Sequence, residues 1–187
     1  MTDPIIQIHH QDESLEYKDI KEAIVAVVKE DNQNFLFIKI DTEEIEFTGE
    51  QMAEFEKQDK YPLISTFNFV NIELEGYPVD FASPTWLLDN TLRFKEGWIN
   101  NDNETIAYAT LYIRAHFEIK DNTIRLLKQG EAFILEWTGV TKDINYYDET
   151  AKPNSIFIRT AVQLKSYSSV DNYYEIEYRS KLKNDAK

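Results

Sequence analysis

Between Thr105 and Ile119 the chain alternates without a break. Ala107, Ala109, Leu111, Ile113, Ala115, Phe117 and Ile119 interleave with Tyr108, Thr110, Tyr112, Arg114, His116 and Glu118. A period of two belongs to a strand, whose successive side chains point to opposite faces. The run predicts one long strand with a single buried face. The small residues Ala107, Ala109 and Ala115 leave room for a helix or the opposite wall of a curved sheet against that face.

The rest of the chain reads as more strands broken by polar turns. Ala23–Lys29 fits a helical face as well as a strand, but its β-branched residues and the turn that follows favour a hairpin with Phe35–Ile40. Leu63–Leu74, Arg93–Ile99, Thr123–Lys128, Glu131–Thr138, Ser155–Lys165 and Tyr173–Leu182 are predicted strands, with a turn at Gln129-Gly130. Glycine is scarce, at five residues. The dipeptide Asp-Asn recurs instead, and Asp31-Asn32, Asp102-Asn103, Asp121-Asn122 and Asp171-Asn172 are predicted turns, since both residues tolerate left-handed backbone. Helices are expected to be short. Ser14 is placed to cap one running into Asp19–Ala23. Thr48 and Gln51 have the spacing of a capping box for a helix over 49–58, and Pro84 suits a first helical position behind Ser83. The expected fold is α+β. It is a predominantly antiparallel, curved sheet, sandwich-like or barrel-like, with one to three short helices mainly in the N-terminal third. A single domain over 1–187 is expected, with an acidic helix and hairpin region at 1–60 packed on a sheet formed by 61–187.

The chain of 187 residues has no cysteine, which excludes disulfides, thiolate metal sites and a Cys nucleophile. It lacks a basic leader and any apolar run near the ~18 residues of a membrane span, so a cytoplasmic protein is expected. The formal charge of −14 and the absence of a basic patch with interleaved aromatics disfavour nucleic acid and anionic membranes as partners.

No motif for a phosphate loop, a nucleophile elbow or a metal centre is present, and no cofactor is expected. His9 and His10 are adjacent, so in a strand they face opposite ways. Asn100–Glu104 is oxygen-rich without the spacing of a calcium loop. Glu175 and Glu177 share a predicted strand face, as paired catalytic carboxylates would, but Arg179 on that face makes a solvated, charge-balanced strand the better reading. On the polar face of the long strand, Tyr108, Tyr112, Arg114 and His116 could line a ligand pocket. Arg114 and His116 would clamp an anion, with Glu118 orienting the imidazole. The same pattern also describes the solvent face of an antiparallel strand dressed with cross-strand pairs. The long segment Gly139–Asn154, with Tyr146-Tyr147, is a further candidate for function.

One feature stands apart from the sheet pattern. Residues 41–59 hold eight acids against Lys57, a formal −7. They supply half of the chain's charge in a tenth of its length. The pattern describes an exposed hairpin end and helix made soluble by Glu; it also describes a docking surface, for which Asp41, Glu43, Glu44, Glu46, Glu50 and Glu54 are the candidate partner-binding residues, with Phe47, Phe55 and Tyr61 as apolar anchors among them. An acidic, Cys-free chain without a catalytic motif resembles, in composition alone, bacterial immunity and antitoxin-like inhibitors. That resemblance implies a non-enzymatic protein that neutralises a basic partner protein through an acidic surface. The alternative is a small-molecule binding domain, or an enzyme, using the Tyr108–His116 face. Nothing in the sequence sets the oligomeric state.

Overall fold

The structure, a computed structural model, describes residues 3–10, 13–99, 103–144 and 152–179. Two hairpins open the chain. β1 (Ile5–His10) pairs with β2 (Glu13–Tyr17), and β3 (Ile20–Glu30) with β4 (Gln33–Thr42). The second hairpin turns on Asp31 and Asn32, at φ 44° and 69°. Two successive left-handed residues are what a two-residue hairpin of this twist requires. Helix α1 (Gly49–Lys57) and the single turn α2 (Leu63–Thr66) lead into β5 (Asn71–Val79). A 3-10 turn at Pro84–Leu88, capped by Ser83, precedes β6 (Leu92–Phe94). β7 (Trp98–Ile99) and β8 (Thr105–Ile106) form a small hairpin of their own. The main sheet continues with β9 (Ala109–Tyr112), β10 (His116–Glu118), β11 (Lys120–Gln129), β12 (Ala132–Thr141) and β13 (Asn154–Tyr167). Helix α3 (Val170–Tyr174) then runs into a π-helical turn at Glu175–Arg179.

The strand order is β10-β9-β5-β4-β3-β13-β12-β11-β6, with the β1–β2 hairpin added to β13. Every pairing is antiparallel except β13 with β3, so the sheet is mixed. β13 serves two neighbours along one edge: Ser155–Arg159 pairs with β1, and Gln163–Tyr167 pairs with β3. β3 and β4, the strongest strands of residues 1–60, therefore stand in the middle of the sheet.

The sheet is curled into a half-barrel, and its connectivity shows why. β10 lies on β9 and β11 lies on β12, yet only Ile119 separates β10 from β11. One short run of chain thus belongs to opposite ends of the strand order. Along the same seam Phe94 of β6 stacks on Tyr77 of β5, with centroids 4.4 Å apart, and meets Tyr108 edge-on. The concave side encloses the core, drawn from β1 to β13 and including Ile8, Val25, Ile38, Leu74, Leu111, Ile124, Trp137 and Ile158. Trp137 is fully buried, and its indole N–H donates to Asn122 Oδ1 at 2.8 Å. Asn122 donates in turn to the Ile119 carbonyl at 2.7 Å. The network satisfies the polar atoms that the bulge at Asp121 (φ 51°) would otherwise leave buried and unpaired. On the convex side, Ile24, Ala26, Val28 and Phe37 are buried beneath the C-terminal helical segment through Tyr173. β3 is covered on both faces, which is why it reads as an unbroken apolar run.

Several expectations are corrected here. The predicted long strand Thr105–Ile119 is broken. After the separate β8, β9 and β10 form a hairpin in which Arg114 takes φ 64°. Residues directly opposite in an antiparallel pair share a face, and the partners are 112 with 116, 111 with 117 and 110 with 118. Each pair has the same parity, so the alternation runs through the turn as if nothing had happened. Tyr173–Leu182 is not a strand: residues 170–179 are helical, and 180–182 lie outside the described residues. Ser14 caps no helix and instead sits in β2 opposite His9. Leu63–Leu74 opens with a helical turn, where Ser65 Oγ donates to the Pro62 carbonyl at 2.6 Å, before β5 begins. Helices are therefore not concentrated in the N-terminal third. Of the four predicted Asp-Asn turns, Asp31-Asn32 makes the hairpin, Asp121-Asn122 makes a bulge, and Asp171-Asn172 lies inside α3. Asn103 has φ 59°, and Asp102 lies outside the described residues. Helix α1 does carry the expected capping box at Thr48 and Gln51. Among the described residues no helix is long and apolar enough to cross a membrane.

Candidate functional site: the acidic surface around the first helix

The chain leaves β4 along a pinned, extended path. The Glu43 N–H donates to the Asp19 carbonyl and the Ile45 N–H to the Asn68 carbonyl, each at 2.8 Å. The apolar side chains Ile45 and Phe47 are half-buried, while Glu43, Glu44 and Glu46 are exposed. At Thr48 the path turns into α1. The Gln51 N–H donates to Thr48 Oγ1 at 3.2 Å, and the Thr48 N–H donates to Gln51 Oε1 at 2.8 Å. This reciprocal cap stabilises a short helix that little else supports. Glu50 in its first turn and Lys57 in its last complement the helix dipole. No residue of α1 is buried. Its one inward anchor is the half-buried Phe55, packed edge-on to Phe47 at 5.6 Å and to Tyr61 at 6.4 Å. Met52 and Tyr61 stand open to solvent. A crevice of about 360 Å³ lies behind the helix, with Leu15, Phe55, Lys60 and Ile64 among its walls.

The six candidate acids are not equivalent. Asp41, half-buried on β4, is held by Lys39 Nζ at 3.1 Å and accepts from Asn71 Nδ2 at 2.5 Å. Its charge is spent within the protein. Glu44 accepts from Asn68 Nδ2 at 2.5 Å, and Glu54 accepts from Gln58 Nε2 at 2.9 Å. Glu43, Glu46 and Glu50 are exposed and have no such partner among the described residues. Five of the six thus lie on one continuous exposed segment over 43–54, and Asp41 lies beneath it.

The second candidate set divides. Tyr112 and His116 meet across the β9–β10 hairpin, with ring centroids 4.9 Å apart, and Tyr112 also packs on Phe69. Arg114 is exposed at the turn and His116 is exposed beside it. Tyr108 stands apart in the Tyr77–Phe94 seam, where burial raises its phenol pKa. Glu118 does not orient the imidazole. It accepts from the Gly97 N–H at 2.9 Å and pairs with Lys120 at 3.3 Å.

Other polar residues gained unforeseen roles. His10, buried, lies 2.7 Å from Asp143 and ties β1 to the segment after β12, whereas His9 is exposed. Glu177 is fully buried beneath the C-terminal turn, bonded to Lys165 Nζ at 2.7 Å and to the Tyr167 hydroxyl. Lys39 lies 4.4 Å from the Tyr178 ring centre and 3.2 Å from Glu22. The Tyr178 hydroxyl donates to Glu73, whose pKa is raised by burial. The sequence signal for this cluster is the spacing of Tyr173, Tyr174, Glu177 and Tyr178, which fits a helical face as well as the alternation of a strand. Glu175, by contrast, is exposed. Tyr146-Tyr147 and Asn100–Asp102 lie outside the described residues. Among the described residues no group of three or more His, Asp or Glu side chains is placed to hold a metal ion. No protein-family model matches the chain, and neither does a curated protein or a solved structure.

Proposed function

We propose that this chain is a non-enzymatic binding protein that docks a basic partner protein on residues 43–54, with an inhibitor of the immunity or antitoxin kind as the form its composition suggests. The observation that carries this reading is the isolation of α1. A capped helix with no buried residue contributes little to the core, yet it holds Glu50 and Glu54 in one frame with Glu43, Glu44 and Glu46. A helix that buries none of its own residues leaves its polar face open to another molecule. Exposed carboxylates would steer a cationic surface into place, and the exposed Met52 and Tyr61 would supply apolar contact between the charges. Asp41 is left out of this surface because it is half-buried on β4 and held by Lys39 and Asn71.

The test is partner affinity at about 50 mM and about 500 mM salt, for the wild type and for a variant combining Glu46→Lys, Glu50→Lys and Glu54→Lys. The affinity is expected to fall by about tenfold or more across that range, and the variant to bind at least about tenfold more weakly at low salt. Far-UV circular dichroism should show the fold unchanged. Salt-independent binding that the variant retains would overturn the proposal.

A further inference from the structure

The half-barrel has an opening where β10 passes into β11. β10 is paired along its length with β9, but toward β12 the strand pairing stops at Lys120 opposite Val140. Beyond that point Thr141 Oγ1 donates to the Glu118 carbonyl at 2.9 Å. A groove of about 590 Å³ lies beside this opening, lined by β10 and the end of β12. That is within the usual range for a small-molecule site. Phe117, Val140 and Pro153 supply its apolar surface.

The charges around this groove run against those of the whole chain. Glu118, the one acid among the lining residues described, is already held by Lys120 and by the Gly97 N–H. Lys120 is shared between Glu118 and Glu96, each at 3.3 Å, and these bonds raise its pKa, Glu96 first. Lys142 lines the groove, exposed and with no ion pair among the described residues, and His116 lines it from β10. Among its described lining residues the groove has Lys120 and Lys142 against the single acid Glu118, the reverse of the balance in a chain of formal charge −14.

We infer that this groove binds a small organic anion with an apolar body. The body lies over Phe117, Val140 and Pro153, and the anionic head lies at Lys142, with His116 as second donor. The site is separate from the acidic surface around α1 and does not depend on a protein partner being found there.

Octanoate and 1-octanol share an apolar chain and differ in charge, so titration calorimetry with each on the full chain tests the assignment. Octanoate is expected to bind saturably at one site, with octanol weaker by about tenfold. Lys142→Ala should weaken octanoate by about fivefold, the scale of one half-exposed ion pair, and leave octanol unchanged. Val140→Trp, which fills the groove, should abolish octanoate binding, with folding checked through the near-ultraviolet signal of the buried Trp137. Absence of octanoate binding overturns the inference. So does binding that is indifferent to Lys142→Ala and Val140→Trp, or octanol binding as tight as octanoate.

Discussion

Gly139 shows how closely the half-barrel is fitted along its seam. It lies in β12 opposite Ile156 of β13, and a Cβ built on it would stand 2.4 Å from Ile119 Cγ2 and 3.1 Å from the Lys120 carbonyl. Ile119 is the buried residue that joins β10 to β11, and its branched side chain has no free end to swing aside. Gly139→Ala should therefore destabilise by roughly 1–3 kcal/mol, the usual cost of overpacking. Gly49 is the contrasting case. It opens α1, nothing lies within 4 Å of its missing Cβ, and its φ is not left-handed. Gly49→Ala should stabilise by about 0.5 kcal/mol through helix propensity and a less flexible unfolded chain. Urea unfolding of the two variants checks both, and equal effects would refute the packing argument. Neither glycine carried this difference in the sequence, because the atom that crowds Gly139 is twenty residues away in the chain.

At the scale of elements, the C-terminal helical segment acts as a cover for the convex face. Tyr173 lies in its centre against Phe37 at 4.5 Å, flanked by Tyr167, Tyr174 and Tyr178. Burial raises the phenols of all four above their ordinary value of 10, that of Tyr174 to about 12 and the other three further. Because the folded-state values lie above the unfolded ones, their contribution to stability is fully present below about pH 10 and is lost as pH rises through the folded values. A tyrosinate absorbance titration should show Tyr174 ionising near 12, and the helical signal should fall as the remaining three follow. A single transition near 10 for all eleven tyrosines would show that the segment does not pack as described. The same element explains what was legible locally and what was not. The capping box of α1 and the Asp31-Asn32 turn involve residues a few positions apart, so sequence spacing reports them directly. Tyr173–Arg179 is helical partly because Glu177 reaches Lys165 and Tyr167 on β13, and tertiary contacts of that kind override a short alternating pattern.

Across the whole molecule, the long-range pairings were the least legible feature. The parallel contact of β13 with β3 joins residues more than a hundred positions apart, and no local pattern distinguishes a parallel neighbour there from an antiparallel one. Charge distribution was legible, since it needs only a count. Its cost can also be measured. The chain carries −14, and residues 41–59 alone contribute −7, so self-repulsion should oppose the compact state when salt is low. Several acids elsewhere are offset by geometry: Glu136 is held by Arg125 at 2.5 Å and by Arg159, and Asp41 by Lys39. The exposed acids over 43–54 have little such compensation among the described residues, and the docking role proposed for them would explain why the repulsion is tolerated. The wild-type melting temperature should rise by about 2 °C or more between ~50 mM and ~500 mM sodium chloride. The triple variant Glu46→Lys, Glu50→Lys, Glu54→Lys should melt higher than wild type at low salt and respond less to added salt. A variant that loses binding and also melts lower would mean that Glu46, Glu50 and Glu54 hold the fold together, and the surface would then be structural.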